Sequence, residues 1–179
     1  MNPRLEKLDI LKHIFLSSND QELLEHFKRL NPIFDLDTVA LEADFNRYFI
    51  GPDKPLAVPY ASVYIDQTQS VMTEATQKVR QIYDLVGLIN PLKNQQPDDF
   101  IGLELDAYFQ LLYLEMEKDI EFLQEVRLYF LQEHLALWIF AFCDQILTNT
   151  TFSSQPIQLL AKELKNFFEQ EIQLEGALL

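Results

Sequence analysis

A chain of 179 residues, 48% hydrophobic and 23% charged, carries enough apolar material for one domain, or two very small ones, with a sizeable core. A disordered tail and a collagen-like rod are thereby excluded. Its 28 acidic residues against 14 basic ones leave a formal charge of −14, which repels phosphate backbones and anionic membranes. No nucleic-acid partner is expected, and a cationic or apolar partner is favoured.

Cys143 is the single cysteine, so neither an intrachain disulfide nor a cysteine-built zinc or iron–sulfur site can form, and a reducing compartment fits. Glu6 and Asp9 precede any long apolar run, which does not match the charged and then apolar regions of a signal peptide. A cytoplasmic location is expected. The longest uninterrupted apolar run, Leu135 to Cys143, is far shorter than the ~20 residues of a membrane-spanning helix, so no stable membrane insertion is expected and the run reads as a buried helix. Only 4 glycines interrupt long stretches of helical spacing, which predicts an all-α, single-domain, multi-helix bundle over residues 1–179.

In chain order, Leu5, Leu8, Leu11, Ile14 and Phe15 describe one helical stripe closed by Ser17 to Asp20. Asn19 or Asp20 can cap a second helix carrying Leu23, Leu24, Phe27 and Leu30, which Asn31-Pro32 ends. Asp37 can cap a third, with Val39, Ala40, Ala43 and Phe45 turned inward and an end near Ile50-Gly51. Gly51 to Asp66 holds Pro52, Pro55 and Pro59 and alternates Val58, Tyr60, Ser62 and Tyr64, so it is expected to be an extended loop packed on the core.

A long helix is predicted over Gln67 to Leu88, with Val71, Met72, Ala75, Val79, Ile82, Tyr83 and Val86 inside. Asn94 to Asp99 forms the second proline-bearing loop, and its last residues are good N-caps for a strongly apolar helix from Ile101 to Leu114. Ile120 to Leu147 reads as two helices or one kinked helix, its Leu135 to Cys143 part apolar all round and central to the bundle. A turn over Thr148 to Pro156 precedes a last amphipathic helix with Leu159, Leu160, Leu164, Phe167 and Phe168, whose tail beyond Leu174 is expected to fray.

Several chemistries have no residues to carry them. Neither glycine-rich phosphate cradle occurs, and His13, His26 and His134 form no His-Glu-x-x-His or Glu-x-x-His pattern, so no nucleotide, metal or other cofactor is expected. Cys143, nine positions from His134 on one helix, is placed as a buried apolar residue and not as a nucleophile.

Three segments point elsewhere: Tyr48-Phe49-Ile50-Gly51-Pro52 with Pro59-Tyr60-Ala61-Ser62-Val63-Tyr64, then Gln96-Pro97-Asp98-Asp99-Phe100-Ile101-Gly102-Leu103-Glu104-Leu105, and Phe130-Leu131-Gln132-Glu133-His134-Leu135-Ala136-Leu137-Trp138. They resemble, in order and spacing, the TorD/DmsD/NarJ family of molybdoenzyme maturation chaperones, with the likeness extending over about Phe45 to Phe142. The family's glutamate and histidine in the second segment are replaced here by Gln96 and Phe100, so roles resting on them are not carried over.

The resemblance implies a TorD-like, non-enzymatic, cytoplasmic chaperone serving anaerobic respiration. Such a protein binds the twin-arginine leader, the apo form, or both, of a molybdenum-cofactor oxidoreductase and holds it until cofactor insertion, before export. The alternative it implies is a branch that binds the folded body of a client metalloenzyme, of the nitrate-reductase or zinc-hydrolase kind, without reading a leader. It also implies a monomer or a domain-swapped dimer, with either proline-bearing loop as hinge.

On the matched positions the leader-binding candidates are Tyr60, Ser62, Tyr64, Pro97, Asp98, Asp99, Gly102, Glu104, Glu133, His134 and Trp138. Carboxylates can take bidentate arginine contacts, and the tyrosines and proline loop can supply an apolar wall. Structural readings stand beside these. Asp99 is well placed to cap its helix, which leaves Asp98 freer to face a ligand or solvent. Glu104, in an apolar helix, needs a partner such as Arg127 or a backbone amide. Tyr60 and Tyr64 can be core aromatics with hydroxyls bonded at the edge, Ser62 can hold its own loop, and Gly102 can permit close helix packing. Glu133, His134 and Trp138 can serve as capping and core residues.

Overall fold

A computed structural model describes residues 2–66, 69–92, 95–118 and 120–176. Among them the chain is helical with no strand, as the glycine-poor, helically spaced sequence predicts; an isolated bridge pairs Tyr60 with Phe100. The helices are α1 (Pro3–Leu16), α2 (Asp20–Leu30), α3 (Thr38–Phe49), α4 (Ser62–Ile65), α5 (Glu74–Val86), α6 (Ile101–Lys118), α7 (Glu121–Phe130), α8 (Ala136–Leu147) and α9 (Gln155–Gly176). None of these is long and apolar enough to cross a membrane.

Local chemistry sets the starts of α2 and α3 where the sequence places them, and α1 has a cap that the sequence reading does not name. Asn2, Asn19 and Asp37 each accept a backbone N–H of the turn that follows, capping α1, α2 and α3. The apolar stripes of α1 and α6 lie against each other, α2 and α9 flank α1, and α8 packs on α9. One connected cluster runs through these contacts, with Leu8, Leu11, Ile14, Phe27, Tyr108, Phe130, Trp138 and Phe142 almost wholly enclosed. Each such side chain contributes roughly 1.5–3 kcal/mol of transfer free energy, which is what holds short helices together in water.

Between α7 and α8 the helix is continuous but widens into a π-helical turn, Leu131–Leu135, so the alternative of one modified helix prevails over two separate ones. The turn directs Leu131, His134 and Leu135 inward together.

Several inward assignments change. In α3 the buried stripe is Leu41, Phe45, Tyr48 and Phe49, spaced by four, three and one, so Val39 (72% exposed), Ala40 and Ala43 fall on the outer face. Helix α5 begins at Glu74, because Met72 adopts a left-handed φ of 62° and the Thr73 hydroxyl and Ala75 amide both donate to Asp66. Val71 and Met72 are therefore exposed, not internal, and the predicted start at Gln67 lies outside the described residues. Gly87, with φ 69°, closes that helix in the left-handed conformation glycine tolerates.

The Gly51–Asp66 loop does pack on the core, burying Ala57, Pro59, Ala61 and Ser62, but it is not extended throughout: Ser62–Ile65 coils into α4. Leu137 is 57% exposed, so the Leu135 to Cys143 stretch is central on one side only. Helix α9 runs to Gly176 without fraying at Leu174, since Glu175 is buried and paired with Arg127; residues 177–179 lie outside the described residues.

Candidate functional site

The three sequence segments meet. The Ala61 amide donates to the Asp99 carbonyl at 3.1 Å and the Ile101 amide to the Pro59 carbonyl at 3.0 Å, stitching the proline loop to the start of α6. Asp99, fully buried, does not cap its own helix. Its carboxylate accepts the Ser62 amide at 2.9 Å and the Thr76 hydroxyl at 2.8 Å, so it ties α4 and α5 to α6. In the first turn of α6 the Ile101 amide goes to the Pro59 carbonyl, and the Leu103 and Glu104 amides go to the Phe100 carbonyl.

One turn on, Glu104 accepts the Trp138 indole N–H at 3.0 Å and lies 2.7 Å from His134 Nε2. Burial pushes its carboxyl above the usual range, and the facing His134 works against that shift. Arg127, expected as its partner, pairs with Glu115, Glu175 and the Tyr108 hydroxyl. Helices α6 and α7 are consecutive neighbours, so Arg127 meets the far end of α6, some 16 Å along the axis from Glu104 at ~1.5 Å per residue. Tyr64 stacks on Trp138 with ring centroids 5.7 Å apart, and its hydroxyl donates to Gln145 at the edge. Tyr60 does the same with Gln96, at 2.6 Å, as the edge reading of both tyrosines anticipates.

Gly102 is a close-packing position: a Cβ there would stand 2.8 Å from Phe100 Cε1 and 2.9 Å from Leu16 Cδ2. Ser62 holds the hub through its amide, whereas its buried hydroxyl has no hydrogen-bond partner. Cys143 is buried, and that burial pushes its thiol up.

Asp98 differs from its neighbour. Its Oδ1 accepts the Asn90 amide N–H at 2.7 Å and its Oδ2 accepts Arg80 Nε–H at 2.6 Å. The aspartate side chain is 9% exposed and that of the arginine 62%. The pair borders a cleft of about 580 Å³ that also includes Met72, Tyr83, Asp84, Leu88, Ile89, Gln96 and Pro97.

On the other side of α5 lies a second cleft, of about 430 Å³. Ile82, Leu85, Phe122, Val126 and Tyr129 give it apolar walls, Glu125, Glu133 and Lys78 a charged rim, and His134 part of its floor. Leu85, Phe122 and Tyr129 are 63%, 49% and 57% exposed, an unusual density of large apolar groups in solvent.

Of the sequence candidates, Tyr60, Ser62, Tyr64, Asp99, Gly102, Glu104 and Trp138 thus form an interior hub, while Pro97, Asp98, Glu133 and His134 reach the two clefts. Sequence reasoning misses Arg80, Asn90, Leu85, Phe122 and Tyr129. The only sequence signal for the last three is apolar residues off the buried stripes of two neighbouring helices. Among the described residues no group of three or more histidine, cysteine or acidic side chains could hold a metal ion.

The model of the nitrate reductase delta subunit family matches residues 16–144. Chaperone protein TorD of Aliivibrio fischeri is 30% identical over 129 residues, covering 69% of this chain and 59% of that protein. TorD of Vibrio atlanticus is 31% identical over 128 residues (68% and 60%), and that of Aliivibrio salmonicida 30% over 102 residues (55% and 47%). The chain thus spans about half to three-fifths of the length of these relatives. A crystal structure from Archaeoglobus fulgidus, described as a redox enzyme maturation protein, superposes with a TM-score of 0.62 at 18% identity over 94% of this chain and 95% of that one, which supports the fold. Matched over most of its length, from the end of α1 to the last turn of α8, the chain belongs to the nitrate reductase delta subunit family, the family of its TorD chaperone relatives.

Proposed function

We propose that this protein is a cytoplasmic redox-enzyme maturation chaperone. It binds the twin-arginine leader of a molybdenum-cofactor oxidoreductase and keeps the client from export until the cofactor is inserted. Binding is the whole of its chemistry, and it carries no cofactor of its own.

The observation that carries this reading is the pair of clefts sharing α5 as their common wall. One offers Asp98 and Asp84 to guanidinium groups, and the other offers Ile82, Leu85, Phe122 and Tyr129, rimmed by Glu125, Glu133 and Lys78, to an apolar segment. A leader that sets two arginines beside an apolar stretch has the matching order of charge and hydrophobicity. The formal charge of −14 draws a cationic peptide toward either cleft. Asp99 and Glu104 serve this site from behind, by fixing the loops and helices on which it is built.

Calorimetric titration with a synthetic twin-arginine leader, beside the same peptide with both arginines changed to glutamine, tests the reading. Saturable binding of the arginine form, weakened at least tenfold in the glutamine form, is expected. Equal binding of the two forms, or retrieval of a client lacking its leader as efficiently as the full client, would move the function to the folded body of the client.

A further inference from the structure

We propose that Arg80 is an internal stand-in for a ligand guanidinium, occupying Asp98 in the free protein and giving it up to an arginine of the bound peptide. The proposal deepens the leader-binding reading and rests on it.

Of the signature carboxylates, Asp99 and Glu104 are held by donors that are themselves enclosed: the Ser62 amide and Thr76 hydroxyl, and the His134 ring and Trp138 indole. Withdrawing any of those donors would strand a buried polar group. Asp98 is held differently. Arg80 stands largely in solvent and contributes its Nε–H to Oδ2, so its guanidinium can swing into water and be fully hydrated.

Asn90 meanwhile keeps Oδ1 in place and does not depend on Arg80. The carboxylate would then face the 580 Å³ cleft with one oxygen free, in the position that an arginine can fill with the same hydrogen bond. Exchange of one guanidinium for another preserves charge balance at a nearly buried aspartate. A peptide lacking arginine has nothing to offer in return, so the occupied site discriminates against it.

Titration of the 179-residue chain with the twin-arginine leader peptide and its glutamine counterpart, in wild type, Arg80→Ala, Asp98→Asn and the double variant, tests this. Removing the competitor is expected to tighten binding of the arginine peptide about fivefold, the scale of a partly exposed ion pair, with no gain for the glutamine peptide. The gain is expected to vanish in the Asp98→Asn background. Arg80→Lys, which retains a competing charge without the planar fork, is expected to fall between wild type and Arg80→Ala. If wild type binds but Arg80→Ala binds equally or more weakly, or if the gain survives Asp98→Asn, the stand-in role is overturned and leader recognition stands. If none of the proteins binds either peptide, leader recognition fails and the proposal with it.

Discussion

Around Asp99 and Glu104, acceptors and donors enclose one another: carboxylates meet an amide, a hydroxyl, an imidazole and an indole, all nearly inaccessible to water. Along α5 and α7 the pattern is reversed. Leu85, Phe122 and Tyr129 project into solvent, and Asp98 is met by an arginine that is mostly hydrated. The two regions share a wall, since Thr76 and Arg80 lie one turn apart on α5, one facing the hub and the other a cleft. A family signature can thus mark the frame of a site as readily as its contact surface. The polar residues most conspicuous in an apolar sequence are the ones the interior most needs to satisfy.

The sharpest way to break the comparison is Glu104→Ala. It leaves the Trp138 N–H and the His134 ring without their acceptor and opens a void in the core, so a loss on the order of 3–5 kcal/mol is expected, read by thermal or urea denaturation. A change below about 1 kcal/mol would mean that the hub does not brace the fold. On the other side of α5, Leu85→Ser should shift stability by no more than about 0.5 kcal/mol, because the side chain is already exposed, while weakening leader binding about tenfold by calorimetry. A mutant of normal affinity would remove the apolar cleft from the site.

A smaller effect is expected in alkali. Burial raises the ionisation of Cys143, Tyr64, Tyr83 and Tyr108 above the ordinary thiol and phenol values of 9.0 and 10.0. The folded protein therefore holds protons that the unfolded chain releases first. Their contribution to stability is fully present below pH 9 and is lost as pH rises through the folded values. Denaturation midpoints measured from pH 8 to 11 should fall, and Cys143→Ala should remove the earliest part of the fall; a flat profile would contradict the burial of these groups.

The helical frame was largely legible in the sequence because its signals are local. Asn19 and Asp37 act as caps, and the Leu5–Ile14 stripe is enclosed. Errors arose where distant contacts decide. The start of α5 is set by Asp66 reaching forward to Thr73 and Ala75, and no apolar period records that. The inner face of α3 depends on which side meets the core, and Val39 and Ala43 fit the period without being on that side. In the site, the motif residues meet in the hub, but by other contacts than the sequence suggests: Asp99 binds the Ser62 amide and Thr76 hydroxyl instead of capping its helix, and Asp98 borders a cleft for a different reason, its pairing with Asn90 and Arg80. Arg80 and Asn90 were invisible, since their meaning comes only from a loop that folds back beside α5.

Placing Asp98→Asn and Asp99→Asn side by side, with thermal stability and leader affinity measured on each, tests the division between frame and contact surface most directly. Asp98→Asn should keep its melting temperature within a few degrees, as expected for a pair whose arginine is solvated, and lose at least tenfold in affinity. Asp99→Asn places an amide donor among the Ser62 and Thr76 donors and should lose about 1–3 kcal/mol of stability, while its folded fraction binds the leader normally. The reverse result, with affinity lost at Asp99 in a fully stable protein and unchanged at Asp98, would contradict the account and return the leader site to the interior hub.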